Sequence, residues 1–421
     1  MSDETDGGPP MFHRIVGLVI SLAVAATILA PAGAQANSYK RLYAFTDGTD
    51  GSFPDAGPTL DGNKLFGTTG VTVFSFDLKT QTETTLHTFT ASEGEYPTAP
   101  LIAYNNLLYG INSAAGAYGL GTVFSVDPKT GSLNVLHAFQ GGSDGYGPWA
   151  GLIVVNGVLY GTTESGGGST NCKYGCGTIF AINLSTGAES IVYDFQAGTD
   201  GSYPQSDLIN VGGTLFGTTV YGGSSGSCDL GSGNCGTVFA FNLSTGVEEV
   251  IYRFQGLGKD GAYPQSGLTI VNGLMYGTTY QGGSGTICGG GCGTIYSINP
   301  KSRKETVLYS FDAYNDGAFP RTDMVAIGSV LYGTTSEGGD CPYGAIFSYD
   351  TASGTEKTVF SFTGGKRSDT PNGIAIKGNT FYGTSFWGGA GKEAAAQAQA
   401  KAGGRCAKGH TGFGTIFSYK P

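Results

Sequence analysis

The chain has 421 residues, with 74 glycines, 39% apolar and 13% charged residues and a formal net charge of −10. Abundant glycine without a G-X-Y period excludes collagen, and the apolar content excludes disorder. An acidic chain with no basic cluster excludes a nucleic-acid binder, and richness in Gly, Tyr, Phe, Val and Thr reads as all-β.

Residues 1–36 read as a mis-called start followed by a secretory signal peptide. Met11 to Arg14 supplies a basic segment, Ile15 to Ala30 an apolar run, and Ala34-Gln35-Ala36 an A-x-A cleavage site. The acidic stretch before Met11 lies outside that pattern, so Met11 is the expected start and Asn37 the first mature residue. The alternative is a leader retained as a membrane anchor, but the run is short for a span. No other segment is apolar and long enough to cross a membrane as a helix. Without 1–36, which hold three acids and one base, the net charge is −8. The expectation is a secreted or periplasmic protein with no stable membrane insertion after cleavage.

The mature chain opens on a strand, Tyr39 to Phe45 (YKRLYAF). A phrase of the form (L/V/F)-(Y/F)-G-T-T then recurs, centred on Gly67, Gly161, Gly217, Gly277 and Gly333, with variants at Gly110 and Gly383. The spacing is 43 to 60 residues, which is the period of propeller blades. Each unit holds four strand signals, here A to D from the centre outward. Strand A follows a proline, as in Gly151 to Val155 and Gly267 to Val271. An Asn-Gly turn such as Asn156-Gly157 or Asn272-Gly273 joins it to strand B, the YGTT phrase. A Gly-rich loop leads to strand C, as in Gly121 to Val126 and Gly293 to Ile298, and a polar turn leads to strand D. Strand D ends in an aromatic pair, as in Leu136 to Phe139 and Leu308 to Phe311.

The chain thus starts on a D strand and ends on a C strand, Gly414 to Tyr419. The N-terminal strand is expected to complete the last blade and cover its open edge. This predicts residues 37–421 as a seven-bladed β-propeller of four-stranded antiparallel blades, blade 7 being 371–421 plus 38–46. A linear β-solenoid is the alternative, and the frame-shifted ends argue against it.

Strand alternation puts every B–C loop and every D–A crossover on one face of the disc. The eight cysteines all lie in B–C loops. An even count in a secreted chain favours disulfides: Cys172–Cys176, Cys228–Cys235 and Cys288–Cys292 as local clips and Cys341–Cys406 between neighbouring blades. Zinc is the competing reading, but the spacings lack partner pairs or histidines, so no metal and no cofactor are expected. His87 and His137 occupy a strand-D slot filled elsewhere by Tyr43, Tyr193, Tyr252 and Tyr309, and read as packing residues; His410 lies in a B–C loop.

The crossovers repeat D-G-x-(Y/F)-P, from Asp50 to Pro54, Asp200 to Pro204, Asp260 to Pro264 and Asp316 to Pro320. Asp144 to Pro148 and Glu93 to Pro97 are variants, and the last crossover, at Asp369 to Pro371, has lost the glycine. Asp accepts backbone hydrogen bonds, Gly takes positive φ and Pro fixes the start of strand A, a structural role. A ring of carboxylates holding calcium is the alternative.

Function is expected where the sevenfold pattern breaks. Trp149 follows a crossover proline, Trp387 starts the seventh B–C loop, and Tyr221 and Tyr280 hold similar places in blades 4 and 5. Exposed aromatic rings stack on sugars or anchor a partner. Glu164 and Glu337 open two loops and are candidates for a pair of carboxylates at the pore mouth. No H-E-x-x-H and no P-loop is present. The seventh loop carries Gly391 to Gly404, whose composition shows no chemistry.

The unit Gly121 to Gly167, with YGTT, GT(V/I)F and DGxxP in fixed order, resembles the repeat of the bacterial GloVer-containing, choice-of-anchor tandem-repeat proteins. The resemblance implies a secreted or envelope-attached propeller and carries over no activity and no site residues. The chain stops at Pro421 after a strand, so a freely soluble monomer is expected. The favoured reading is a non-enzymatic propeller binding a glycan or an envelope protein through its Gly-rich loop face. A polysaccharide hydrolase or lyase with carboxylates at the pore mouth is the alternative.

Overall fold

In the computed structural model the described residues are 38–223, 235–256, 258, 260–389, 406 and 409–421. The leader assigned to 1–36 and the segment Gly391 to Gly404 lie outside them. Seven antiparallel sheets form the blades, each with strand order A-B-C-D. In blade 3 these are Ile153–Val155, Val158–Ser165, Thr178–Asn183 and Glu189–Asp194. The one helical turn among the described residues is the 3-10 turn Gly142–Asp144.

The ring closes as the strand order requires. Ser38–Ala44 pairs antiparallel with Thr415–Lys420, with Tyr39 opposite Tyr419, and completes the sheet of Ser368–Lys377 and Thr380–Gly388. Asn156 and Asn272 adopt φ 52 and are followed by Gly157 at φ 78 and Gly273 at φ 79, the left-handed pair that a two-residue hairpin turn needs.

Three kinds of contact recur around the disc and join neighbouring blades. The first is aromatic. A one-residue irregularity in every C–D ladder, such as that between Ile179 and Phe180, lets the last two strand-D aromatics turn inward. The final Phe of strand D meets the strand-C ring of the following blade edge to face: Phe139 on Phe180 and Phe195 on Phe239 at 5.2 and 5.1 Å, Phe254 on Tyr296 at 5.0 Å. Phe362 on Phe417 and Phe45 on Phe74 carry the pattern through the seam. Each such pair stabilises by about 0.5–1.5 kcal/mol beyond its buried area. Glycine in the YGTT phrase makes room for the strand-C ring: a Cβ at Gly161 would lie 2.5 Å from the Phe180 ring.

The second is a hydrogen bond from the residue before the crossover proline. Phe53, Tyr96, Tyr203, Tyr263, Phe319 and Thr370 all have φ between 53 and 59. Such a conformation costs about 1–3 kcal/mol at a non-glycine residue. It aims the amide at the preceding blade: Tyr203 N–H donates to Cys176 O at 2.8 Å and Phe319 N–H to Cys292 O at 2.9 Å. The second cysteine of a local clip is therefore the residue that supplies the acceptor.

The third is a triad around the crossover acid. Tyr193 Oη donates to Asp200 at 3.1 Å and reaches Glu248 of the next blade at 3.2 Å. Tyr252 with Asp260 and Tyr309 with Asp316 repeat it at 2.6 Å. His137 and His87 take the same slot, against Asp144 at 3.0 Å and Glu93 at 3.1 Å. The structural role read for the DGxxP acids and for both histidines follows from these bonds.

Strand A departs from the expected continuous strand. Gly151 to Val155 was the predicted extent, and Ile153–Val155 is the observed one. In blades 3, 4 and 6 the crossover pairs with the far end of strand B, as in Pro148 opposite Thr163, and strand A resumes only at residues such as Ile153. The residues between leave the ladder. In blade 7 the register shifts between Pro371 and Ile374 at the same place. This break shapes the site below.

Candidate binding site at the channel mouth

A cavity of about 480 Å³ is lined by residues from all seven blades. Every lining residue but Tyr280 belongs to a strand-A start, so strand A is innermost and the cavity lies on the disc axis. It opens on the face of the crossovers and B–C loops. The residue directly after each crossover proline lines it: Asp55, Thr98, Trp149, Gln205, Gln265, Arg321 and Asn372. The crossover itself repeats; the next residue differs in nearly every blade. A rigid, sevenfold frame thus presents a non-symmetric set of hydrogen-bonding groups and one indole.

The mouth residues hold one another in place. Arg321 Nη2 donates to Asn372 Oδ1 at 3.0 Å and pairs with Asp55 Oδ1 at 3.4 Å, crossing blade 7 to do so. Asn372 Nδ2 donates to Pro54 O at 2.6 Å. Thr98 Oγ1 donates to Trp149 O at 2.9 Å. Burial pushes the Asp55 carboxyl up, and Arg321 opposes that shift.

Below this rim sit two acids. The third residue after the crossover proline is Gly57, Pro100, Gly151, Gly267 or Ile374 in five blades, and Asp207 or Asp323 in blades 4 and 6. Gly151 N–H donates to Asp207 Oδ1 and Gly267 N–H to Asp323 Oδ1, each at 2.5 Å. Each bond joins neighbouring blades. Both carboxylates are enclosed by protein yet keep a face to the channel. Burial pushes both up, Asp323 to about 8, with Asp207 adding repulsion.

Of the residues singled out in the sequence, Trp149 and Tyr280 line the cavity. Trp149 is 40% exposed. Tyr280 stacks on Phe319 with ring centroids 4.9 Å apart. Tyr221 lies outside the cavity, edge-on to Tyr203 and Tyr263 at 5.6 and 5.4 Å. Trp387 packs against Phe53 and Phe386 at 4.9 and 5.4 Å and lies over His410. Glu164 stands one layer back, accepting from Gln205 Nε2 at 3.1 Å, and burial pushes its carboxyl up. Glu337 is exposed at the end of its strand. Asp55, Asp207, Arg321 and Asp323 are the ionisable lining residues that the sequence reading missed. Their signal is the same in kind as that of Trp149: a break in the repeat just after the crossover proline.

Disulfides join Cys172–Cys176, Cys288–Cys292 and Cys341–Cys406, as the spacing predicted. Cys228 lies outside the described residues, and its pairing with Cys235 with it. His137, Asp144 and Glu189 have ligand atoms within 4.8 Å of one another, the closest approach to a metal-binding group among the described residues. The same places hold Tyr, Asp and Glu in blades 3 to 5, so the group is an interblade triad. No helix among the described residues is long and apolar enough to cross a membrane.

A model of the Gloeobacter/Verrucomicrobia repeat matches the chain at residues 28–174, 70–290 and 171–396. No curated protein matches it. Among solved structures, an oligogalacturonate lyase in complex with manganese superimposes with a TM-score of 0.56 at 14% identity, over 92% of this chain and 94% of that one. The oligogalacturonate lyase of Vibrio parahaemolyticus gives 0.50 at 13% identity, again over 92% and 94%. At such identities the likeness is one of fold.

Proposed function

The chain belongs to the Gloeobacter/Verrucomicrobia repeat family, and from that footing we propose that it is a non-enzymatic glycan-binding propeller that works outside the cytoplasm. The observation that carries the reading is the mouth cavity. An indole and a phenol stand beside planar amide, guanidinium and carboxylate groups contributed by blades 1, 4, 5, 6 and 7. Aromatic rings cover the apolar face of a sugar, and planar polar groups meet its hydroxyls in pairs. The binding place is then the channel mouth, with the B–C loops as its rim. Disulfides in a chain of this family are in keeping with an oxidising compartment.

The test is calorimetric titration with a panel of envelope and matrix oligosaccharides. Binding to at least one is expected, with Trp149→Ala weakening it about tenfold or more. Binding left unchanged in that variant would remove the mouth from the proposal.

A second reading has its own observation. Asp207 and Asp323 are two poorly solvated carboxyls within electrostatic reach of each other, an arrangement that can split into acid and base. A polysaccharide hydrolase or lyase would use them at the channel in place of Glu164 and Glu337. Product formation from any oligosaccharide that binds, lost in Asp207→Asn, would favour this reading.

A further inference from the structure

Resting on the glycan reading, we propose that Asp207 and Asp323 form a subsite for a protonated amine, so that the sugar taken at the mouth is a free amino sugar. Four ionisable side chains line the cavity: Asp55, Asp207, Arg321 and Asp323. Arg321 is already engaged by Asp55 and Asn372. Among the described residues no cation pairs with the two inner acids. Each spends Oδ1 on one backbone amide, and no hydrogen bond among the described residues occupies Oδ2.

The repeat has been altered twice to admit them. An acid in blade 4 or 6 requires glycine at the matching place one blade back: a Cβ at Gly151 would lie 2.6 Å from Asp207 Oδ2, and one at Gly267 2.5 Å from Asp323 Oδ2. A separate observation points the same way. Strand C carries Phe at the ring position in six blades, namely Phe74, Phe124, Phe180, Phe239, Phe347 and Phe417, and Tyr296 in blade 5. Tyr296 is fully buried, and its hydroxyl has no hydrogen-bond partner among the described residues. That hydroxyl sits beside Gly277 and Leu268, next in sequence to Gly267, behind the wall that holds Asp323 and within electrostatic reach of it. Six phenylalanines show that packing needs no oxygen there. The charged groups nearest this hydroxyl in electrostatic effect are Glu305 and then Asp323, so it adds polarity behind the wall of the inner acid.

The occupant follows from the donors. Two carboxylates without a third ligand close by fall short of the oxygen count that a calcium ion takes. An ammonium group has three donors and no acceptor, and it meets separate carboxylates at ordinary distances. Trp149 and Tyr280 beside it supply faces for the ring and for cation–π attraction. A uronide would bring its own carboxylate against two more, and the site disfavours it.

The experiment compares a glucosamine tetramer, its N-acetylated counterpart and a galacturonate tetramer by calorimetry, with the wild-type chain and Asp207→Asn, Asp323→Asn and Tyr296→Phe. Asparagine keeps the acceptor for the glycine amide, and melting curves confirm folding. Wild type is expected to prefer the free amine by about tenfold or more and to leave galacturonate unbound. Each Asn variant should bring the amine down to the level of the N-acetylated sugar without changing the latter. Tyr296→Phe should narrow the preference. Equal affinity for amine and N-acetyl sugar, or a preference untouched by both Asn variants, overturns the amine subsite and leaves the glycan reading standing. Binding that needs added Mn²⁺ or Ca²⁺ and vanishes with chelator overturns it in favour of a metal. No binding of any tetramer overturns both.

Discussion

The ring of Pro204 rests against Gly177, one blade back: a Cβ on that glycine would lie 2.6 Å from Pro204 Cδ and 2.5 Å from Thr163 O. Gly177 has φ 95, so an L side chain is strained there twice over. The same relation joins Gly121 to Pro148, Gly236 to Pro264, Gly293 to Pro320 and Gly414 to Pro54. Gly177→Ala should destabilise by about 2–4 kcal/mol. Gly187→Ala, in an open turn with nothing near its Cβ, should cost about 1 kcal/mol. Urea midpoints of the two variants check the difference, and equal shifts would contradict the lock.

The cross-blade disulfide should matter more than the local clips. Cys341–Cys406 spans 65 residues and Cys172–Cys176 spans 4. Loop-closure entropy makes the first worth about 4 kcal/mol and the second about 2 kcal/mol. Serine pairs at each position, followed by thermal melts, should rank in that order.

Removing residues 38–46 strips the outer strand from blade 7 and takes Phe45 away from Phe74. It leaves Thr415–Lys420 as a bare sheet edge. The expected outcome is aggregation or loss of the cooperative melt, seen by light scattering. A monomer with an unchanged melt would contradict the closure.

Stability should fall as pH rises from mildly acidic to mildly alkaline. Burial, and then the crossover acid, hold Glu248, Glu305 and Glu356 at about 7. A carboxyl raised on folding binds its proton more tightly in the native state. Its contribution is complete below its unfolded value and is lost as pH climbs through the folded one. The melting temperature should therefore be higher at about pH 5.5 than at about pH 8.5. Gln at all three positions should flatten that slope. Asp50 and Glu93 are shifted the other way, so their contribution is lost only at lower pH.

The architecture was legible because each strand carries its own phrase and the phrases repeat. The frame shift between Tyr39 and Tyr419 announced the closure, and the aromatic pair at Tyr193 and Phe195 marked the end of strand D, though not its contact with the next blade. The channel mouth was not legible in the same way. Strand A reads as one apolar run, and nothing local in Trp149 to Leu152 shows that it leaves the ladder; that is decided where seven strands crowd one axis. Asp207 and Asp323 are remote in sequence, and only the ring brings them within reach of each other. Trp149 apart, the breaks that stand out in the sequence lie in the B–C loops, whereas the cavity wall begins one residue past the crossover proline.

The seam in blade 7 makes the disc indivisible. A stack of repeats can lose its last unit and stay folded, but here the earliest strand to be synthesised waits for the latest. Until Thr415–Lys420 arrives, six blades form a horseshoe with Ser38–Ala44 unpaired at one tip and Phe362 without Phe417 at the other. A chain cut short within its final fifty or so residues is thus no smaller version of the protein. It is an unfinished one, sticky at both ends and easily told apart from the finished product by proteases.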